Sequence, residues 1–184
     1  MRKIPTLFKR DPDDMSRVLD DVTPGCEWVL AGEGVATRKY DGTCTMLDEA
    51  GAWWARREVK PGKLEPAGWV EVDHDPVTGK RTGWEPIAQS SFAKAFAECE
   101  TAGFQPGTYE LVGPRINGNP DGFDDHTLVR HAEADRLWFA LQPDAEMVVH
   151  AVRELGDQGI EGVVWHHPDG RMAKLKARDV RDRS

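Results

Sequence analysis

Clusters of glycine, proline and aspartate cut this chain into short pieces, and that punctuation limits its fold more than any other feature. The clusters stand at Asp11-Pro12-Asp13-Asp14, Pro24-Gly25, Lys60-Pro61-Gly62, 75–83, 113–122 and Pro168-Asp169-Gly170. Proline presets φ and glycine tolerates the positive φ of tight reversals, so each cluster ends an element. The runs between them are mostly strand-like: Cys26–Leu30, Val35–Tyr40, Thr43–Leu47, Trp53–Val59, Thr108–Val112, Arg136–Leu141, Gly162–His166 and Met172–Lys176. Two segments carry helical spacing. Ser90–Ala102 opens on serines suited to an N-cap and repeats Phe92, Ala95, Phe96 and Cys99; Asp144–Gly156 repeats Met147, Val148, Ala151, Val152 and Leu155 before a glycine. Many short strands with few helices in mixed order predict an α+β fold of antiparallel sheets, as one domain over residues 1–184.

The composition, 30% charged and 39% hydrophobic with no apolar run near 18 residues, excludes a membrane helix and a disordered chain. Met1–Arg10 holds four basic residues and no continuous apolar core, so it does not read as an export signal, and a cytoplasmic location is expected. Three widely spaced cysteines (Cys26, Cys44, Cys99) offer neither a disulfide framework nor a CxxC pair. A net charge of −8 argues against extensive binding along nucleic acid. The last stretch differs: Arg171, Lys174, Lys176, Arg178, Arg181 and Arg183 outnumber Asp169, Asp179 and Asp182, a basic end suited to gripping a nucleic-acid terminus.

Four local features carry chemistry. Lys39-Tyr40-Asp41-Gly42 follows a strand-like run and precedes Thr43-Cys44-Thr45-Met46. By itself it reads as a hairpin turn, because Asp-Gly between two strands is a hairpin signal. Glu110 lies inside Thr108–Val112, and Glu161 heads Glu161-Gly162-Val163-Val164. Either acid could face solvent from the outer side of a sheet. Lys174 and Lys176 are one strand period apart and share a face, which by itself reads as a solvated edge.

In this order, the four resemble the nucleotidyl-transfer motifs of the covalent nucleotidyltransferase superfamily of polynucleotide ligases and mRNA capping enzymes. Lys39–Gly42 is similar to its KxDG motif, Glu110 to the acidic motif that follows, Glu161–Val164 to EGxV and Lys174–Lys176 to KxK. The resemblance runs from about Val35 to Lys176. It is closer to ATP-dependent RNA ligases whose nucleophile motif reads KxDGTC; Lys3–Leu7 and Glu110–Pro120 also look like that family.

The resemblance implies an antiparallel-sheet nucleotidyltransferase (ATP-grasp-like ligase) core with ATP as donor, magnesium or manganese as cofactor, and RNA 5′-phosphate and 3′-hydroxyl ends as partners. Lys39 is the implied nucleophile. Asp41 orients it or holds a metal-bound water. Lys174 and Lys176 meet the α-phosphate, Glu110 the ribose or metal, and Glu161 the metal. An aromatic from Arg136–Ala140 meets the purine, either Phe139, the first choice, or Trp138. Of Arg56 and Arg57, alternation sends only one to the site, and Arg57 is chosen. Asn117 and Asn119 are turn formers or contacts to ribose or a nucleic-acid end. His166 and His167 are expected at a turn.

With eight residues after Lys176, no OB-fold is expected; with 38 before Lys39, neither is an extra domain for NAD. DNA ligases have an arginine where this chain has Cys44, so substrate contacts should differ. A minimal DNA ligase, a GTP-dependent capping-type enzyme and a non-catalytic module holding a nucleotide or RNA end are the alternative readings.

Overall fold

A computed structural model describes residues 2–139 and 142–180. Ala140 and Leu141, at the end of the expected strand Arg136–Leu141, and Arg181 and Arg183 of the basic end lie outside the described residues. The described chain is α+β, mostly antiparallel sheet with few helices. It forms two compact units, Met1–Lys3 with Asp41–Glu133, and Ile4–Tyr40 with Ala134–Ser184.

The unit of Ile4–Tyr40 and Ala134–Ser184 holds a hairpin of β1 (Phe8–Arg10) and β2 (Val18–Val22). Its main sheet has three antiparallel strands, β3 (Val35–Lys39), β10 (Gly162–His166) and β11 (Met172–Lys176), with β10 in the centre. Both edges are covered. Leu7 N donates to Lys174 O and Lys174 N to Pro5 O along β11, while Arg38 N donates to Asp135 O and Leu137 N to Ala36 O along β3. One sheet face is apolar: Ala36, Val163, Trp165, Ala173 and Leu175 pack with Leu7, Phe8 and helix α2 (Ala145–Asp157). Helix α2 starts at Asp144, whose side chain accepts from Met147 N at 2.8 Å, and turns Val148 and Val152 inward at i,i+4 spacing.

The unit of Asp41–Glu133 is built on a six-stranded antiparallel sheet. Its strands are β4 (Thr43–Leu47), β5 (Trp53–Val59), β6 (Val70–His74), β7 (Arg81–Pro86), β8 (Gly107–Val112) and β9 (Thr127–Arg130), in the order β6-β7-β5-β4-β8-β9. Leu47, Tyr109, Leu111 and Leu128 form its core with Trp53, Phe92, Phe96 and Phe104 packed on them. In β7 a side chain at Gly83 would strike Val70 O and the Trp69 ring, so this strand glycine marks a close approach.

Several expectations need correction. Cys26–Leu30 is not a strand but a 3-10 turn over Glu27–Val29. Trp28 and Val29 are adjacent and both buried, which an alternating strand on one core does not allow. Ser90–Ala102 is α-helical only as α1 (Ala93–Phe96); beyond it Glu98 N and Cys99 N bond three residues back, a tighter winding that still packs Phe96 and Cys99 inward. Of the expected strand Arg136–Leu141, the described residues 136–139 contribute one bridge, Arg136 to Thr37. Finally, Lys39–Gly42 is no hairpin, because β3 and β4 belong to different sheets.

Candidate functional site

Strand alternation and register determine the polar face of the three-stranded sheet. Gly162 pairs with Lys39 on one side and Lys176 on the other; Val164 pairs with Thr37 and Lys174. Side chains directly opposite in a ladder point the same way, so Lys39, Lys174 and Lys176 share the face turned away from the apolar core. Gly162 keeps the middle of that face open, and a Cβ there would lie 2.2 Å from Leu175 O. Thr37 Oγ1 and His166 Nε2, on the same face, are hydrogen bonded at 3.0 Å. His166 ends β10, and only His167 lies in the turn beyond it, its ring nitrogens 2.8 Å from Glu33 Oε2 and 2.7 Å from Asp169 Oδ1.

Glu161 precedes the glycine and bridges two of the lysines. Lys39 Nζ donates to Glu161 Oε2 at 2.5 Å, and Lys176 Nζ donates to Oε1. Burial opposes ionisation of this carboxyl, but the Lys39 and Lys176 ammonium groups outweigh it and hold Glu161 below the ordinary range of a glutamic acid. Lys174 shares the face with this Lys39–Glu161–Lys176 bridge, and a lysine-rich face of this kind suits phosphate. Arg38 lies over the Tyr40 ring at 4.8 Å, and Tyr40 Oη donates to Asp135 Oδ2 at 2.8 Å, which fixes the exit of β3.

Phe139 packs edge-on to Trp165, ring centres 5.4 Å apart, and joins the apolar core of this unit. Trp138 is 99% exposed. Both line an open pocket of about 270 Å³ with Val29, Val35, Leu137 and Trp165.

In the Asp41–Glu133 unit a second polar group gathers around Glu110. A side chain at Gly42 would lie 2.2 Å from Leu111 O and 2.9 Å from Glu110 Cγ, so only glycine allows β8 this close. Gly42 N donates to Glu110 Oε1 at 3.2 Å, and His131 Nε2 is 2.9 Å from Oε2. Asn117 ties the following loop to this turn, donating to Asp41 Oδ1 at 3.0 Å and Gly42 O at 2.9 Å, while Asp41 N donates to Asp121 Oδ2. Asn117 and Asn119 have φ of 47° and 55°, so both are turn formers; Asn119 bonds within its own loop to Phe123.

Register places Arg56 and Arg57 on opposite faces. Cys44 pairs with Glu110 and Met46 with Trp54, so Glu110, Cys44, Met46, Trp54 and Arg56 share one face. Arg57 leaves from the opposite face and is exposed. His131 and Thr37 are polar residues at these sites that the motif reading did not single out. His131 had no local signal, since it depends on β9 lying beside β8; Arg56 and Thr37 needed only the correct strand parity.

Fold and side chains together define an α+β protein of antiparallel sheets whose three-stranded sheet presents a lysine-rich face bridged by a part-buried carboxylate. No protein-family model matches the chain. The chain is similar to RNA ligase 1 of Danio rerio, 27% identical over 128 aligned residues, which cover 59% of this chain and 38% of that protein. It therefore spans well under half the length of this relative. Among the described residues, no helix is long and apolar enough to cross a membrane.

Proposed function

We propose that the chain is an ATP-dependent RNA ligase that adenylylates itself on Lys39, passes AMP to an RNA 5′-phosphate and joins that end to a 3′-hydroxyl. The observation that carries the reading is the polar face of the three-stranded sheet, where Lys39, Lys174 and Lys176 stand together and Glu161 bridges Lys39 and Lys176. Similarity to a protein named RNA ligase 1 supports the same reading.

In the first step Lys39 Nζ, as the free amine, forms a bond to the α-phosphorus of ATP; the bond to the bridging oxygen breaks and pyrophosphate leaves with the electron pair. The product is a lysyl-AMP phosphoramidate. Lys174 and Lys176 offset charge on the α-phosphate and disfavour a third ammonium beside them. An RNA 5′-phosphate oxygen then displaces Lys39 from the AMP phosphorus. Last, the 3′-hydroxyl attacks the activated 5′-phosphorus, AMP leaves and the phosphodiester is made.

Paired with Glu161, Lys39 is held as an ammonium and is not a nucleophile, so the carboxylate must be given another positive partner before the first step. A single part-buried carboxylate suits magnesium or manganese, which take oxygen ligands and complete their shell with water and substrate phosphates. Glu161 would hold such an ion, which when bound would neutralise phosphate charge. Glu110 is assigned to the ribose, Asp41 to orienting the turn after Lys39, and Trp138 rather than Phe139 to the purine, since Phe139 is committed to Trp165. Arg56 replaces Arg57 as the basic residue on the face of Glu110.

The test is to incubate the protein with magnesium and ATP labelled at the α-phosphate, then run a denaturing gel beside Lys39→Ala and a GTP control. Label that requires ATP and disappears in Lys39→Ala is the expected outcome. Absence of label on protein free of pre-bound adenylate overturns the ligase mechanism and leaves a module that binds a nucleotide or RNA end. Preference for GTP turns the reading to capping, and sealing of nicked DNA but not RNA ends turns it to DNA ligation.

A further inference from the structure

We infer that the Asp41–Glu133 unit carries a zinc site made by Cys44, Glu110 and His131. Cys44 Sγ, a carboxylate oxygen of Glu110 and a ring nitrogen of His131 all lie within 4.8 Å of one another. Cys44 and Glu110 are direct partners on β4 and β8, and His131 follows β9, whose Val129 pairs with Glu110 from the other side. Two adjacent strands and the turn that follows a third thus deliver one donor each. Tetrahedral zinc with ordinary bond lengths separates its ligands by about 3.3–3.8 Å. His131 and Glu110 are 2.9 Å apart, so on binding an ion they separate by a few tenths of an ångström while Cys44 draws in.

The outer shell is also in place. His131 Nδ1 is 2.9 Å from Thr108 Oγ1, and Thr108 is two residues before Glu110 in the same strand. Glu110 Oε1 accepts from Gly42 N, which leaves Oε2 for the metal. A ligating histidine normally donates its other N–H in this way, which selects the tautomer and orients the ring. On binding, Cys44 becomes a thiolate and releases one proton, while the histidine proton resides on Nδ1 and is donated to the Thr108 hydroxyl. Thiolate and carboxylate cancel the two positive charges of zinc, so no net charge is buried beside Glu110, which is 9% exposed.

The donor set decides which ion fits. Magnesium, manganese and calcium take oxygen ligands, whereas sulfur and imidazole nitrogen select zinc-class ions. A site that joins Glu110 to Cys44 and His131 therefore suits zinc better than an ion that takes oxygen ligands alone. Three protein ligands leave the fourth position to water, the open form of a zinc site. The inference stands on the geometry of this unit, independent of the adenylylation reading, although both use Glu110.

The test uses the full chain stripped with a chelator. Zinc titrated against a chromophoric chelator should bind one ion per chain, and saturating zinc should protect Cys44, but not Cys99, from maleimide alkylation mapped by mass spectrometry. Cobalt as a probe should give a thiolate charge-transfer band that Cys44→Ser removes and Cys99→Ser retains. His131→Ala and Thr108→Val should each weaken zinc binding about tenfold or more. Equal alkylation of Cys44 with and without zinc in the wild-type protein overturns the site, whether or not the variants fold. Zinc protection without Lys39 labelling sinks only the ligase reading; Lys39 labelling without zinc protection sinks only the metal site.

Discussion

Glu161 sits between two ammonium groups with its side chain only 10% exposed, so its ionisation contributes to stability as well as to chemistry. Its folded pKa lies below the ordinary 4.5, despite burial, because Lys39 and Lys176 face it. A depressed carboxylate contributes stability that is fully present above the unfolded pKa and is lost as pH falls through the folded one. Glu161→Gln should therefore melt below the wild type by a constant interval at pH well above 4.5, and the interval should shrink as pH falls below that value. Thermal melts of the two proteins across an acid series measure it, and an interval that does not change with pH would refute the electrostatic account. The residue types here were readable from the motif order, but the bridge itself was not. Nothing in Glu161-Gly162 says that its acid turns toward Lys39 and Lys176 rather than to solvent.

Among the elements, β10 matters most because, among the described residues, it is the strand of its sheet with a full strand on each side. Gly162 is its tightest point, since an added Cβ would lie 2.2 Å from Leu175 O and 2.8 Å from Lys176 Cα. Both obstacles are backbone, so β11 must move. Gly162→Ala should lose about 1–3 kcal/mol of stability in denaturant unfolding and should also reduce any Lys39 labelling, because the same shift moves Lys176. Stability within a few tenths of a kcal/mol of wild type would show that the ladder gives way without cost. Elements with a strong alternating pattern were recovered at their boundaries: Thr43–Leu47, Trp53–Val59, Gly162–His166 and Met172–Lys176. Those missed, such as Val18–Val22 and Val70–His74, are short, acidic and largely exposed, and have strand form only because a partner strand supplies the hydrogen bonds.

For the whole molecule, chain order and unit membership differ. Asp41–Glu133 is continuous and carries its own six-stranded sheet and core. The other unit joins Ile4–Tyr40 to Ala134–Ser184, and its central strand β10 needs β3 from the first segment and β11 from the second. A fragment of residues 41–133 should unfold cooperatively in denaturant by itself, whereas 134–184 alone should show no cooperative transition. A cooperative 134–184 would contradict the dependence of β10 on β3.

The sequence alone determined the α+β class, through its turn punctuation and strand periodicity, and the set of chemical groups, through four short motifs in order. These properties are local, carried by spacing along the chain. Tertiary structure alone decided which face each strand presents and which strands become neighbours. Register put Arg56 rather than Arg57 on the face of Glu110, drew Phe139 into the core against Trp165, and brought His131 to Glu110 and Cys44. The physical reason is that a shift of one residue in a strand exchanges its two faces. Pairing between segments tens of residues apart depends on the burial of the whole sheet, which no local pattern records.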